Sequence, residues 1–245
     1  MKSHFSKLVA LLLLVGLASG CATTRLTTAP NTSDRFESWN RSVYSFNETL
    51  DRAVAKPVAT AYATVTPKPV RSGLANFLSN IVYPAVILQD ALQLKPTRFA
   101  RDTGRLLVNT TVGIGGLFDP ASQLGLEANN EDFGQTLGYW GVPSGPYLML
   151  PVLGPSTVRD TVGTVADHFS QPESYLSSNA LGWGISGTRL VDRRARLLGT
   201  EEALKRYLDP YAFIRNSYLQ RREFLIYDGN PPEQPLVEEP DDETP

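Results

Sequence analysis

Asp167 and His168 stand side by side and come closest, among the residue types present, to an acid–base pair. A carboxylate that orients an imidazole can drive proton abstraction, but only where a nucleophile lies within reach. No G-x-S-x-G turn supplies one, since Gly184-Ile185-Ser186-Gly187 has its second glycine one position early. His168 reads more simply as a helix-end residue beside Phe169. Cys21 is the only cysteine, which excludes an intramolecular disulfide and a cysteine-based zinc site. His4 is the only other histidine, and it lies in a segment expected to be removed, so no two-histidine metal site is available. Gly113-Ile114-Gly115-Gly116 has some glycines of a phosphate loop but neither the third spacing nor a following Lys-Ser/Thr. It suits a close approach of backbones or a hinge next to Asp119-Pro120. Asn109, among Leu106, Leu107, Val108 and Val112, is a polar group on an apolar segment and needs a partner or a cavity. Arg159-Asp160 reads as a local ion pair or a solvated cap. Arg189, Arg193 and Arg196 form a basic stripe, which is a solvated face or, beside an anionic membrane, a hold on head groups at about 1 kcal/mol per charge. None of these groupings names a reaction.

The elements that must position them begin with an address. Lys2 and Lys7, an apolar run from Leu8 to Leu17, and the small residues Ala18-Ser19-Gly20 read as an export signal over residues 1–20. The apolar run is well short of the roughly 20 residues a spanning helix needs. The lone Cys21 falls at the expected cut, and Leu17-Ala18-Ser19-Gly20-Cys21 resembles a bacterial lipobox, with Ala18 where Leu is commoner. Lipid on Cys21, followed by Ala22 rather than Asp, implies the outer membrane facing the periplasm. Residues 21–33 are the anchor and a polar Thr-rich linker, and residues 34–227 the folded body. Residues 228–245, with seven acidic and no basic residues, are expected to be a disordered tail.

Within the body, Asp34 and Glu37 have the spacing of a capping box. Phe36, Trp39, Val43, Phe46, Leu50 and Ala53 then step along one face, predicting a helix of about 31 Å to Val54. Pro57, Pro69, Pro84 and Pro96 are read as first-turn prolines that open short helices. Further helices are expected over 156–169, 186–198, 201–208 and 210–227, the last capped by Asp209. Period-2 alternation is scarce, so the fold class is mainly α, in one domain.

The 23 Lys+Arg and 25 Asp+Glu nearly cancel, so the basic field of a nucleic-acid binder is absent. Their distribution is uneven. From Pro57 to Thr188, 16 of 132 residues are charged, about 12% against the roughly 25% of a typical soluble domain. Ser72–Gln89 and Phe133–Val158 carry no charge at all, whereas Arg189–Tyr227 holds 14, nine of them basic. Neither uncharged stretch reads as a spanning helix: Tyr83-Pro84 should break the first, and Phe133–Pro155 has five Gly and four Pro. A body packed against lipid and a glycine-rich soluble core both fit this pattern; the anchor favours lipid.

Trp39-Asn40-Arg41, Ser45-Phe46-Asn47, Leu107-Val108-Asn109-Thr110 and Gly113 through Asp119 resemble the MlaA/VacJ outer-membrane lipoproteins. Phe133-Gly134-Gln135-Thr136-Leu137-Gly138, Gly145-Pro146-Tyr147, Gly154-Pro155-Ser156 with Arg159-Asp160, and Asp209-Pro210-Tyr211 through Arg221 are similar to the same family. The resemblance implies amphipathic helices forming a ring or disc in the inner leaflet, with Gly/Pro-rich non-helical segments. It implies a channel that takes stray phospholipids from the outer leaflet to a periplasmic carrier of the MlaC type, beside a trimeric porin. No enzymatic step and no cofactor beyond lipid on Cys21 are expected. Asn47, Asn109, Asp119, Arg159 and Asp160 are the candidates for the polar lining of that path or its support, and Gly113, Gly115 and Gly116 for a hinge. The resemblance also implies a hairpin loop, placed at Pro120–Asp132, whose only charges are the acidic Glu127, Glu131 and Asp132. Two competing readings are a porin-docking scaffold that moves no lipid and a lipolytic enzyme dependent on His168.

Overall fold

The computed structural model describes residues 34–175, 179–204 and 206–232; the signal segment, Cys21, the linker and residues 233–245 of the tail lie outside them. The seam predicted from Asp34 to Val54 is present, but in pieces. Helix α1 covers Glu37–Leu50, a π-turn covers Asp51–Ala55, and α2 covers Lys56–Val65. Pro57 supplies the cause: it has no N–H, and its ring strikes the carbonyl four residues back. Widening the preceding turn, so that the Lys56 N–H reaches the Asp51 carbonyl, carries the helix past that obstacle. Asp34 and Glu37 do not form the expected capping box. Phe36 holds the cap position with no side-chain bond, and Asp34 instead accepts from the Phe36 N–H and Asn40 Nδ2, each at 3.0 Å, and from the Tyr211 hydroxyl.

Helix α3, Lys68–Leu92, continues through Pro84, where a break was predicted. An internal proline costs about 3 kcal/mol. Here the helix is held by packing on α4, Pro96–Thr111, which folds back along it, and by the buried Tyr83, whose hydroxyl donates to Asp102 Oδ1 at 2.8 Å. The short α5, Pro120–Gln123, and α6, Phe133–Tyr139, follow. Phe133–Pro155 is thus not wholly irregular, because Asp132 caps α6 by accepting from the Gln135 N–H at 2.8 Å. Strands β1, Tyr147–Leu150, and β2, Gly154–Thr157, pair antiparallel with Tyr147 opposite Thr157 and Leu150 opposite Gly154. The helix expected from Ser156 therefore starts two residues later, as α7, Val158–Ser170, with Thr157 as its cap. A 3₁₀ turn at Pro172–Tyr175, α8, Asn179–Arg196, the single turn α9, Glu201–Leu204, and α10, Pro210–Ile226, complete the order. Helix α9 stops short of the expected Leu208, and Asp209-Pro210 restarts the chain as cap and first position of α10, with Asp209 Oδ1 accepting from the Ala212 N–H.

The hairpin has only two strands, so β1 needs partners on its second edge. Two asparagines seven residues apart on α1 provide them. Asn40 Oδ1 accepts from the Met149 N–H at 2.8 Å and its Nδ2 donates to the Tyr147 carbonyl at 3.1 Å. Asn47 does the same two turns on, accepting from the Val152 N–H at 2.8 Å and donating to the Leu150 carbonyl at 2.9 Å. The glycines of the 112–118 turn allow similar closeness. A Cβ on Gly113 would stand 2.3 Å from the Asn109 carbonyl oxygen, and one on Gly116, at φ +91°, would stand 2.4 Å from the Asn80 side chain.

Burial is inverted relative to a water-soluble domain. Among the described residues 15 polar or charged side chains are buried against 11 apolar ones, while 34 large apolar side chains are exposed. The small apolar core sits where Val43, Tyr147, Met149 and Tyr211 meet. No described helix is long and apolar enough to cross a membrane. Leu94, Ile114 and Val152, all exposed, take left-handed backbone at φ +54°, +54° and +67°, a conformation costing roughly 1–2 kcal/mol without glycine.

Removing the edge clamp should be costly. Asn40→Leu strips a buried N–H and a buried carbonyl of partners, and unfolding in urea is expected to show a loss of about 3 kcal/mol. An unchanged midpoint would show that β1 does not depend on the clamp.

Candidate functional site

Three polar clusters lie inside this apolar-faced body, and the sequence candidates fall among them. The first is centred on Arg222 of α10. Its guanidinium donates to Asp132 at 2.5 and 2.9 Å and to Asp160 at 3.0 and 2.8 Å, and Tyr218 Oη donates to Asp160 Oδ2 at 2.8 Å. Arg159 adds two 3.1 Å bonds to Asp160 Oδ1 and one of 3.2 Å to the Val142 carbonyl. Burial alone would raise the Asp132 and Asp160 pKa values, but the bonds and charge of Arg222 outweigh it and hold both below the usual range. Glycine makes room for these charges. A Cβ on Gly134 would sit 2.7 Å from both Arg222 Nη2 and Asp160 Oδ1, and one on Gly163 would sit 2.5 Å from the Gly134 nitrogen. Helices α6 and α7 therefore cross backbone to backbone above the ion pairs.

The second cluster joins α4 to the turn that follows it. Arg105 Nη2 donates to Asp119 Oδ2 at 2.7 Å, and Asn109 Nδ2 donates to Asp119 Oδ1 at 3.0 Å. Ser122 Oγ donates to Asp119 Oδ2 at 2.7 Å, and Asn109 Oδ1 accepts from the Ala121 N–H at 3.1 Å. Although burial opposes it, donation from Ser122, Arg105 and Asn109 holds the Asp119 carboxyl down at about 2.

The third was not anticipated from the sequence. Asp90 and Asp102 are fully buried, as is Gln93, and Glu131 is nearly so. Asp102 accepts from Tyr83 and Asn129, and Glu131 from Gln93 Nε2 at 2.9 Å and Arg98 at 2.9 Å. Neither oxygen of Asp90 receives a hydrogen bond. Burial first, then the neighbouring Asp102 and Glu131, push its carboxyl up to about 8 against the pull of Arg98. A proton retained on Asp90 is what lets it stand against Asp102.

The five path candidates are thus not gathered at one point. Asn47 clamps the hairpin, Asn109 and Asp119 belong to the second cluster, and Arg159 and Asp160 to the first. The 120–132 segment is tied down at both ends, by Asp119 and Arg105 and by Glu131 and Asp132 with their basic partners. Glu131 also lies 3.8 Å from Lys95, which holds Asp228, the first residue of the acidic tail, at 2.6 Å. Open grooves of about 550 and 450 Å³ are lined by Arg52, Lys56 and Thr60 in one case and Asp90, Leu94 and Phe99 in the other, with none of the five candidates. Asp167 accepts from the Phe133 N–H at 2.9 Å rather than orienting His168, whose Nδ1 lies 3.4 Å from Ser174 Oγ. Asn40 was missed as a structural residue, though its seven-residue spacing from Asn47 puts both amides on one helix face.

A family model described as MlaA lipoprotein matches residues 32–225. The chain is 37% identical over 237 aligned residues to the intermembrane phospholipid transport system lipoprotein MlaA of Escherichia coli, covering 94% of this chain and 93% of that protein. It is 33% identical over 228 residues to the Haemophilus influenzae protein of the same description, covering 91% and 90%. A solved chain from work on the structural basis for maintenance of bacterial outer membrane lipid asymmetry superposes with a TM-score of 0.72 at 36% identity, over 79% of this chain and 99% of that one.

Two measurements probe the clusters. Arg222→Met leaves Asp132 without a basic partner and Asp160 with Arg159 alone, and is expected to cost about 3–5 kcal/mol of stability; a loss under 1 kcal/mol would show that the Arg222 ion pairs are dispensable. The raised pKa of Asp90 means the folded state holds a proton that the unfolded chain releases near pH 4. Its stability contribution is complete below that pH and is lost as pH rises through about 8. Asp90→Asn, which cannot take up the charge, should therefore melt about 5 °C above the parent at pH 9 and converge with it near pH 4. Parallel melting curves across that range would contradict the assignment.

Proposed function

The chain belongs to the MlaA lipoprotein family, and from that membership we propose that it removes mislocalised phospholipids from the outer leaflet of the outer membrane, maintaining lipid asymmetry. In this reading lipid on Cys21 anchors the protein, the body sits in the inner leaflet, and an amphipathic channel passes lipid to a periplasmic carrier of the MlaC type beside a trimeric porin. The observation that carries the reading is the inverted burial, with 15 buried polar or charged residues inside and 34 large apolar side chains facing out. A phospholipid has apolar tails and a charged head, so its route needs apolar surroundings with rigidly held polar groups. Asn47, Asn109, Asp119, Arg159 and Asp160 act as the support of that route. Each is fixed by two or more internal bonds, so the wall they hold keeps its shape while lipid moves. Any hinging falls to Gly115, where a side chain would meet nothing within 4 Å, rather than to the tightly packed Gly113 and Gly116. The protein lowers a barrier, and direction comes from the lipid imbalance or the carrier downstream.

The test is phospholipid exposed on intact cells, read by attack of an added phospholipase. Deletion should raise exposure, the parent chain should restore it, and a well-localised Asn47→Ala/Asn109→Ala variant should not. Unchanged exposure on deletion would refute transport and leave a porin-docking scaffold as the better account.

A further inference from the structure

Helices α3 and α4 face each other along stripes spaced by three and four residues. One holds Tyr83, Val86 and Asp90, with Gln93 at the cap, and the other Arg98, Asp102, Arg105 and Asn109. All of these are buried except Arg98, which is partly so. Each helix therefore carries a carboxyl with no exposed surface, but only one of the two is provided for. Asp102 accepts from Tyr83 Oη at 2.8 Å and Asn129 Nδ2 at 3.2 Å, whereas no donor reaches either oxygen of Asp90. The nearby cations are engaged elsewhere. Lys95, in the α3–α4 turn, holds Asp228 at 2.6 Å with its ammonium over the Tyr139 ring of α6, and Arg98 holds Glu131 at 2.9 Å and Asp228 at 3.1 Å. Asp90, Asp102, Glu131 and Asp228 thus share Lys95 and Arg98. Ionising all four would leave buried negative charge uncompensated, and a proton on Asp90 relieves it.

The part of the fold that hangs on this cluster is not a helix. Residues 127–131 lie between α5 and α6 without regular structure, and none of their N–H groups donates to a backbone carbonyl. Their hold on α3 and α4 consists of side-chain bonds into the cluster. The Asn129 N–H donates to Tyr83 Oη at 3.1 Å and Asn129 Nδ2 to Asp102, while Arg98 donates to Asn129 Oδ1 at 3.2 Å and Glu131 accepts from Arg98 and Gln93. An ionised Asp90 repels both acidic anchors, Asp102 and Glu131. The helices are kept in place by their own backbone ladders, so the segment carrying Asn129 and Glu131 is what yields.

We propose that Asp90 is a proton-operated latch that holds residues 127–131 against α3 and α4, shut while the carboxyl keeps its proton and released when the proton leaves. The latch is a property of the fold and stands whether or not the chain moves lipid. Release admits water to Asp90, so the open state gives up a proton that the shut state retains. Opening therefore becomes about tenfold easier per pH unit between the ordinary carboxylate range and the raised value of about 8, and levels off above it.

The experiment is hydrogen–deuterium exchange of the full-length chain in detergent micelles from pH 5 to pH 8, read over residues 127–131 and corrected for base-catalysed exchange. Asp90→Asn, which cannot ionise, is the comparison, with Asp90→Leu in its place if the amide does not fold. Opening in the parent should rise about tenfold per pH unit, while in the variant it stays level and α1 is unchanged in both. A parallel pH dependence in parent and variant overturns the latch. So does an equal rise in α1, which would make the transition global. Infrared absorption gives a second reading: at pH 7 the parent should show the carbonyl band of an un-ionised carboxylic acid that Asp90→Asn lacks. A parent without that band also overturns the inference.

Discussion

Backbone N–H and carbonyl groups outside helices must be bonded to something, and in this chain asparagine amides take the place of water. An amide carries a donor and an acceptor on one rigid plane, so it can close a gap in a strand edge as a neighbouring strand would. Asn40 and Asn47 do so for the hairpin, Asn109 for the first turn of α5, and Asn76 and Asn80 donate to the Leu117 and Gly115 carbonyls of the 112–118 turn. The free edge of the two-stranded sheet and the tight turns beside it rest on that substitution. A third strand would have served the same purpose, but it would have required more non-helical backbone to be satisfied in turn.

The charges follow the same logic on a larger scale. Arg222, Arg105 and Arg98 each draw acidic side chains from distant parts of the chain into one place, and glycines at 134 and 163 let two helices close over the first of these groups. Clusters of this kind are weak sources of net stability compared with apolar packing, because desolvation offsets attraction. Their effect is to fix geometry. An interior organised by directional bonds holds one arrangement, which an outward-facing apolar surface cannot do for itself when its surroundings are fluid and equally apolar.

Much of the helical framework was legible because its signals are local. Asp209-Pro210 announces α10, and the three- and four-residue stepping of Trp39, Val43, Phe46 and Leu50 announces α1. What stayed hidden is non-local. Pro84 reads as a breaker until Tyr83 is seen bonded to Asp102, and Ser156-Thr157 read as helix because the hairpin they close takes its second edge from residues more than 100 positions away. Among the site residues, Asn109 is legible as a polar group on an apolar segment and Arg159-Asp160 as a local pair, and both lie in buried networks, Asn109 bonded to Asp119 and Arg159 to Asp160. Asp90, Asp102 and Glu131 are not legible in this way, since an isolated acid in or beside a helix has the same sequence signature whether it faces water or another carboxylate.

Asp34 is where the described chain begins, and its buried carboxylate holds Asn40 of α1 and the Tyr211 hydroxyl of α10 together. The first and last long helices are therefore buckled at a single point. A pull applied at Asp34 is delivered to both at once, and α10 carries Arg222 about three turns beyond Tyr211. Load entering at Asp34 would in this way be shared through the ion-pair centre of the body instead of peeling α1 away from the hairpin it clamps.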